Sequence, residues 1–145
     1  MSAQEVQRCL QRAGNKYIDS AKKDILGALQ EFKDLQPITQ DHLFTDGKRR
    51  TAFCLRGTIP VYYKGSCYNI PVTIVLWQTH PYYAPICYVN PTAKMVIKES
   101  EHVNKEGRLF LPYLNEWRFP GHDLNGLLNI SFFKQFCERE AKYES

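Results

Sequence analysis

The sequence predicts an α+β domain: two N-terminal helices, an antiparallel meander of four strands, an irregular segment and a C-terminal helix. Three observations carry the prediction. Apolar residues recur at helical spacing as far as Lys33, the period changes to two after Pro37, and periodicity lapses from Asn90 to Pro120 before returning.

Ser2-Ala3-Gln4-Glu5 has the S-x-x-E form of a capping box, in which side-chain oxygens satisfy the free N–H groups of a first turn. Val6, Cys9, Leu10 and Ala13 then share one face, and Gly14 can close the helix. A second helix is predicted from Asp19 or Ser20 to about Lys33, with Ile25, Leu26, Leu29 and Phe32 as its apolar stripe. Pro37 stops any continuation because it lacks the N–H a helix needs.

A strand is predicted over 38–44, followed by the hairpin turn Asp46-Gly47. Thr51, Phe53, Leu55, Gly57 and Ile59 alternate along the next strand, where Pro60 should end the pairing or sit at an edge. Lys64-Gly65 makes a second turn, and Tyr68, Ile70, Val72, Ile74 and Leu76 alternate after it. The run Ile86-Cys87-Tyr88-Val89 reads as a short central strand. The irregular stretch that follows is longer than structural loops usually are, which marks it as functional. Asp123 caps a last helix carrying Leu124, Leu127, Leu128, Phe132, Gln135 and Phe136. The charged tail from Glu138 to Ser145 should extend that helix loosely.

Composition narrows the function. A chain of 145 residues, 43% hydrophobic and 13% aromatic, is expected to fold as one domain over 1–145 around its own core. The net charge of +4 comes from dispersed cations, the longest run being Lys48-Arg49-Arg50, so no nucleic-acid partner is expected. Cys9, Cys54, Cys67, Cys87 and Cys137 form no C-x-x-C pair and read as packing residues. His42, His80, His102 and His122 are widely spaced, so no metal is expected, and no phosphate-binding glycine motif or nucleophile elbow is present. No cofactor is expected. The N-terminus lacks an apolar stretch, and the run Ile70–Trp77 is too short to cross a bilayer. These features predict a soluble protein of a reducing, cytoplasmic compartment, without membrane insertion.

Within the irregular segment the pattern becomes specific. His102-Val103-Asn104, Gly107-Arg108-Leu109-Phe110-Leu111, Leu114, Trp117 and Pro120 resemble the active-site stretch of ubiquitin-conjugating enzymes, and His80-Pro81-Tyr82-Tyr83-Ala84-Pro85 resembles their proline-rich turn. The resemblance implies a ubiquitin-conjugating-enzyme-like fold. It also puts Phe110 in the slot of the catalytic cysteine, so the chain reads as no enzyme: a phenyl ring cannot form a thioester. Asn104 stands near the family's oxyanion-stabilising asparagine, with shorter spacing. This pattern resembles the ubiquitin-conjugating enzyme variants, the UEV family.

Four further strings, Gly57-Thr58-Ile59-Pro60-Val61, Tyr68-Asn69-Ile70-Pro71, Pro91-Thr92 with Met95, and Leu111-Pro112-Tyr113-Leu114, narrow the likeness. They resemble the UEV branch of the ESCRT-I endosomal sorting complex and its paralogues with a lactate-dehydrogenase-like domain. In that branch the domain is N-terminal to a longer chain, so residues 1–145 can be one part of such a chain. The branch implies a groove for Pro-[Ser/Thr]-Ala-Pro peptides at Thr58, Tyr63, Tyr68, Asn69, Thr92 and Met95. A proline-rich peptide is already extended and loses little entropy on binding. The family's C-terminal Pro-Pro-Val-Phe-Ser wall is replaced here by Glu138-Arg139-Glu140-Ala141-Lys142-Tyr143, which predicts reduced peptide affinity unless Tyr143 supplies an aromatic face. The branch also implies ubiquitin contacts at Leu43, Phe44, Thr45, Asp46, Tyr88 and Asn90. Implied partners are ubiquitin, ubiquitinated cargo, proline-rich late-domain-type peptides and other ESCRT subunits bound through regions outside this chain. The implied location is the cytoplasm with recruitment to endosomes. An alternative is a non-catalytic partner of an active conjugating enzyme in ubiquitin chain synthesis; the Pro-Tyr-Leu signature argues against it.

Overall fold

The computed structural model describes residues 3–63, 65–90, 95–97, 101–129 and 141–143. Helix α1 spans Ala3–Arg12 and α2 spans Ile18–Glu31. Their predicted stripes are the faces that are buried: Val6, Cys9 and Leu10 on α1, and Ile25, Ala28 and Leu29 on α2. The proposed capping serine, Ser2, lies outside the described residues.

Four strands follow: β1 (Leu35–Leu43), β2 (Arg49–Tyr63), β3 (Ser66–Leu76) and β4 (Ile86–Val89). They form one antiparallel sheet in the order β1-β2-β3-β4, the predicted meander. Strand β1 starts three residues earlier than the periodicity indicated and contains Pro37, which an edge strand tolerates. Pro60 does not end the pairing of β2: it stands opposite Asn69, and pairing runs on to Tyr63 opposite Ser66. The second alternative holds instead. Strand β1 stops with Leu35 opposite Gly57, so beyond Gly57 the other side of β2 is an edge where a missing N–H is accommodated. Gly57 itself is required by this crossing, because a Cβ there would collide with the Asp34 carbonyl oxygen.

Strand β4 is outermost in the sheet, a correction to the central position that its apolar run indicated. Its free edge is covered by an irregular segment: Val89 N donates to Gly107 O (2.9 Å) and Leu109 N to Cys87 O (2.8 Å). Burial on that edge explains why β4 does not alternate.

The irregular segment also contains β5 (Met95–Ile97) and the short helix α3 (Pro112–Asn115). Helix α4 (Leu124–Asn129) is capped as predicted, with Gly126 N donating to Asp123 Oδ1 (2.7 Å). Its predicted continuation through Phe132, Gln135 and Phe136 lies outside the described residues. The tail is corrected from helix to strand over β6 (Ala141–Tyr143), which pairs antiparallel with β5 and so satisfies backbone groups of both segments.

The helices pack on one face of the sheet: α1 lies against β1 and β2, and α2 against α1 and α4. Alternate residues of β2 and β3, such as Phe53, Leu55, Ile70 and Ile74, meet Leu10 and Ile25 in this main core. One buried polar link ties its rim together. His80 Nε2 donates to Asp24 Oδ2 (2.6 Å), Leu124 N donates to Asp24 Oδ1 (3.2 Å), and Asn15 Nδ2 donates to His80 O (3.2 Å). Trp117 Nε1 donates to Pro81 O (2.8 Å), joining the segment after α3 to the same turn.

Candidate functional site

The first hairpin is closed by local chemistry. Phe44 N donates to Lys48 O (3.0 Å), Gly47 N to Phe44 O (3.0 Å) and Lys48 N to Asp46 Oδ1 (3.0 Å). Gly47 has φ of +83°, the left-handed value for which Asp-Gly is suited. Arg50 pairs with Asp46 Oδ2 (2.7 Å) and lies over the rings of Phe44 (5.3 Å) and Trp77 (5.9 Å).

Leu43, at the end of β1, is 55% exposed, and Thr45 and Asp46 are exposed at the tip. Phe44 departs from its predicted role as a partner contact. It is 3% exposed and sits in a second, smaller core with Ala52, Cys54, Val75 and Ile86, its ring 4.6 Å from that of Trp77. The physical reason is a curl in the hairpin. By register, Tyr88 shares a row with Thr73, Arg56 and Gln36. His42 lies six positions along β1 from Gln36, about 20 Å in a flat strand. Yet the His42 ring is 5.9 Å from Tyr88 and 4.9 Å from Phe44. The hairpin end therefore folds back over the sheet face that the helices leave open.

This curl brings Tyr88 beside the base of the hairpin. Tyr88 is half-buried, and burial raises its phenol above the ordinary value while the Arg108 charge opposes. Asn90 follows at the end of β4. Its side-chain amide donates to Thr73 Oγ1 (2.6 Å) and its N–H to Pro71 O (2.9 Å), so both donors anchor the strand end.

The predicted peptide residues gather at the far end of the β2–β3 hairpin. Tyr63 stands opposite Ser66, Tyr68 opposite Val61 and Asn69 opposite Pro60, while Thr58 lies further in, opposite Pro71. Tyr68 packs against the main core and Asn69 is exposed, as alternation along β3 requires. Met95 belongs to the separate β5–β6 pair, where it stands opposite Tyr143. Thr92 lies outside the described residues.

The segment from His102 to Phe110 is a closed turn. Phe110 N donates to His102 O (2.7 Å), and His102 Nδ1 donates back to Phe110 O (3.1 Å). Asn104 Oδ1 accepts from Glu106 N (3.1 Å) and Arg108 N (2.9 Å), and Asn104 N donates to Arg108 O (3.1 Å). Phe110 is 39% exposed beside a cleft of about 140 Å³ lined by Trp77, Pro85, Ile86, Leu109 and Asn115 among others. No thiol lines it. Burial pushes the Cys54 thiol up to about 12 and also raises Cys9, so neither is a ready nucleophile. Cys137 lies outside the described residues. Among the described residues no three His, Cys, Asp or Glu side chains cluster to hold a metal, and no helix is long and apolar enough to cross a membrane.

Comparison with known proteins decides the family. The model of the UEV domain matches residues 5–141. The chain belongs to the UEV family. Human tumor susceptibility gene 101 protein is 44% identical over 115 residues, 79% of this chain and 30% of that relative. The chain thus spans less than a third of that relative's length. Among solved structures it is similar to the yeast Vps23 UEV domain in complex with a Vps27 PSDP peptide, with a TM-score of 0.70, 21% identity and 88% of each chain covered. It is equally similar to a complex of the Vps23 UEV with ubiquitin, with a TM-score of 0.71, 20% identity, and 87% of this chain and 86% of that one covered. These likenesses establish the fold of this UEV domain.

Hairpin curl and the inward turn of Asn90 escaped the sequence reading. Both depend on contacts between residues far apart in the chain. The one signal available was the aromatic content of His42, Phe44, Trp77 and Tyr88, in or just beyond β1, β3 and β4.

Proposed function

We propose that this UEV domain is a non-catalytic recognition module that takes ubiquitin on its curled hairpin and β4, and proline-rich peptides at the far end of the β2–β3 hairpin. The observation that carries the reading is the hairpin itself. Phe44 and Trp77 hold it against the sheet, with the His42 ring 5.9 Å from that of Tyr88, so exposed Leu43 is presented on a fixed support. An exposed leucine held in place loses little freedom on binding. The relatives bound to ubiquitin and to a PSDP peptide support the ligand classes.

Leu43, Thr45, Asp46 and Tyr88 are the proposed ubiquitin contacts, with Phe44 and Asn90 as supports. Thr58, Tyr63, Tyr68, Asn69, Thr92 and Met95 are the proposed peptide residues. Phe110 is proposed to stand in the slot of the family's catalytic cysteine. Asn104 Oδ1 accepts two N–H groups of its own turn, which fixes how the side chain is held there. The module is proposed to act in the cytoplasm, in ESCRT-I-type sorting at endosomes, where ubiquitinated cargo and proline-rich adaptors meet. Other ESCRT subunits would join through regions outside these residues.

An NMR titration with ubiquitin, then with a Pro-Thr-Ala-Pro peptide, tests both sites on one sample. Ubiquitin should shift residues of 43–49 and 86–90, and Leu43→Ala should weaken binding by about 1–2 kcal/mol. Peptide should shift Tyr68 and Asn69. Ubiquitin shifts confined to α4 overturn the placement. A reductant-sensitive adduct formed with ubiquitin, activating enzyme and ATP overturns the non-catalytic reading.

A further inference from the structure

We propose that Arg108, propped by Phe110, is a specificity-determining contact of the ubiquitin face; the inference rests on the ubiquitin reading above. Tyr88 and Arg108 form an antiparallel bridge, so their side chains emerge on the same side of the sheet. The Arg108 charge reaches both Tyr88 and His42, the two rings that join β4 to the hairpin. Arg108 therefore stands beside the rings that join the hairpin to the edge strand.

Two other polar groups of that surface are occupied. Asn90 spends its amide on Thr73, and Asp46 is held by Arg50 and Lys48 N. Arg108 differs: among the described residues, no carboxylate lies within ion-pair distance of its guanidinium. Its side chain meets an aromatic face, with the guanidinium 5.0 Å from the Phe110 ring centroid. Residues two apart in an extended segment point the same way, which puts Phe110 under Arg108.

A guanidinium resting on a ring is held extended while its N–H fork stays available. Holding it before binding lowers the side-chain ordering cost at the interface. The fork matches a carbonyl or carboxylate, so the partner must carry such an acceptor beside the apolar area that Leu43 and Tyr88 cover. Phe110 then has a task of its own. It acts as a positioning residue for Arg108 without touching ubiquitin.

A double-mutant cycle on ubiquitin affinity tests this, with Arg108→Gln, Phe110→Ala and the pair measured by NMR titration. Arg108→Gln should weaken binding about tenfold, and Phe110→Ala about threefold. The double variant should be no weaker than Arg108→Gln alone. Phe110→Tyr, which keeps a ring, should bind like the unmodified protein, whereas Phe110→Leu should resemble Phe110→Ala. Arg108→Lys should not restore binding, because a point charge lacks the planar fork. Unmodified protein that binds ubiquitin while Arg108→Gln binds equally well overturns this proposal alone, as do additive losses in the cycle. If unmodified protein gives no ubiquitin shifts, the ubiquitin reading fails and takes the proposal with it.

Discussion

At Asp46 and at Asn104 a side-chain oxygen accepts the N–H two residues on, and a glycine with positive φ follows, Gly47 at +83° and Gly107 at +85°. The two turns share their local chemistry, yet the first curls over the sheet face and the second is stitched onto the sheet edge. Asp46 accepts one backbone N–H at Oδ1 and meets the Arg50 guanidinium with both oxygens, at an exposed tip. Asn104 gives one oxygen to two N–H groups, and its own N–H and C=O serve Arg108 and Gly107. The segment after it continues into the backbone bonds that cover β4. The difference lies in where each turn is anchored. The first ends the β1–β2 ladder and is pinned to the sheet face by one aromatic side chain, Phe44, whereas backbone hydrogen bonds to β4 hold the second. A hairpin of the first kind can present residues to a partner, while the second kind is a fixed border.

Breaking the anchor of the first turn should have the largest effect. Phe44→Ala removes a buried ring from the small core and should cost about 3 kcal/mol or more, read as a lower urea midpoint. Ubiquitin shifts in 43–49 should disappear with it. A cost below about 1 kcal/mol would mean the hairpin does not depend on Phe44.

The second turn should yield less. Asn104→Ala deletes the acceptor of two N–H groups and should cost about 1–2 kcal/mol, while Asn104→Asp, which keeps an acceptor, should stay near the unmodified protein. Equal losses in the two variants would show that the side-chain carbonyl is not what holds the turn. Phe110→Cys should remain a poor thioester former with Asn104 intact, because Asn104 stands at a shorter spacing from that slot than the family's asparagine does.

The smallest effect is expected from pH at the contact between hairpin and β4. Burial, reinforced by the charges of Arg108 and Arg49, holds the His42 imidazole below its ordinary value. Among the described residues its buried Nε2 has no hydrogen-bond partner, so no acceptor there favours the protonated ring. The unfolded chain therefore takes the proton more readily than the folded one. This contribution to stability is fully present above about pH 6.5 and is lost as pH falls from there toward the folded-state value. The urea midpoint should decline across that window, and His42→Gln should flatten the decline. An unchanged slope in the variant would assign the pH dependence to other groups.

How far such features could be read in advance depends on their range along the chain. The stripes Val6, Cys9, Leu10 and Ile25, Leu29 are local patterns with a period of their own, so α1 and α2 were legible. Asp46-Gly47 and the cap Asp123 rest on backbone chemistry within four residues and were legible for the same reason. The family was legible because Leu111-Pro112-Tyr113-Leu114, Trp117 and the other strings keep their order, which needs no coordinates. Short apolar runs carry no such information: Ile86–Val89 reads alike whether a strand or an irregular segment covers its edge, and 107–109 settles that only in space.

The sequence by itself therefore determined the α+β class, the meander with its two hairpins, the UEV membership and the identity of Phe110. These follow from residues that act on near neighbours or from motif order. Tertiary structure alone decided which of those residues are available. It buried Phe44 against Trp77, turned Asn90 to Thr73, spent Asn104 on its own turn and laid Arg108 over Phe110. The reason is physical. A side chain's type fixes what it can bond to, but its availability depends on which distant segments have already claimed it, and here the curl of one hairpin over the open sheet face made that choice.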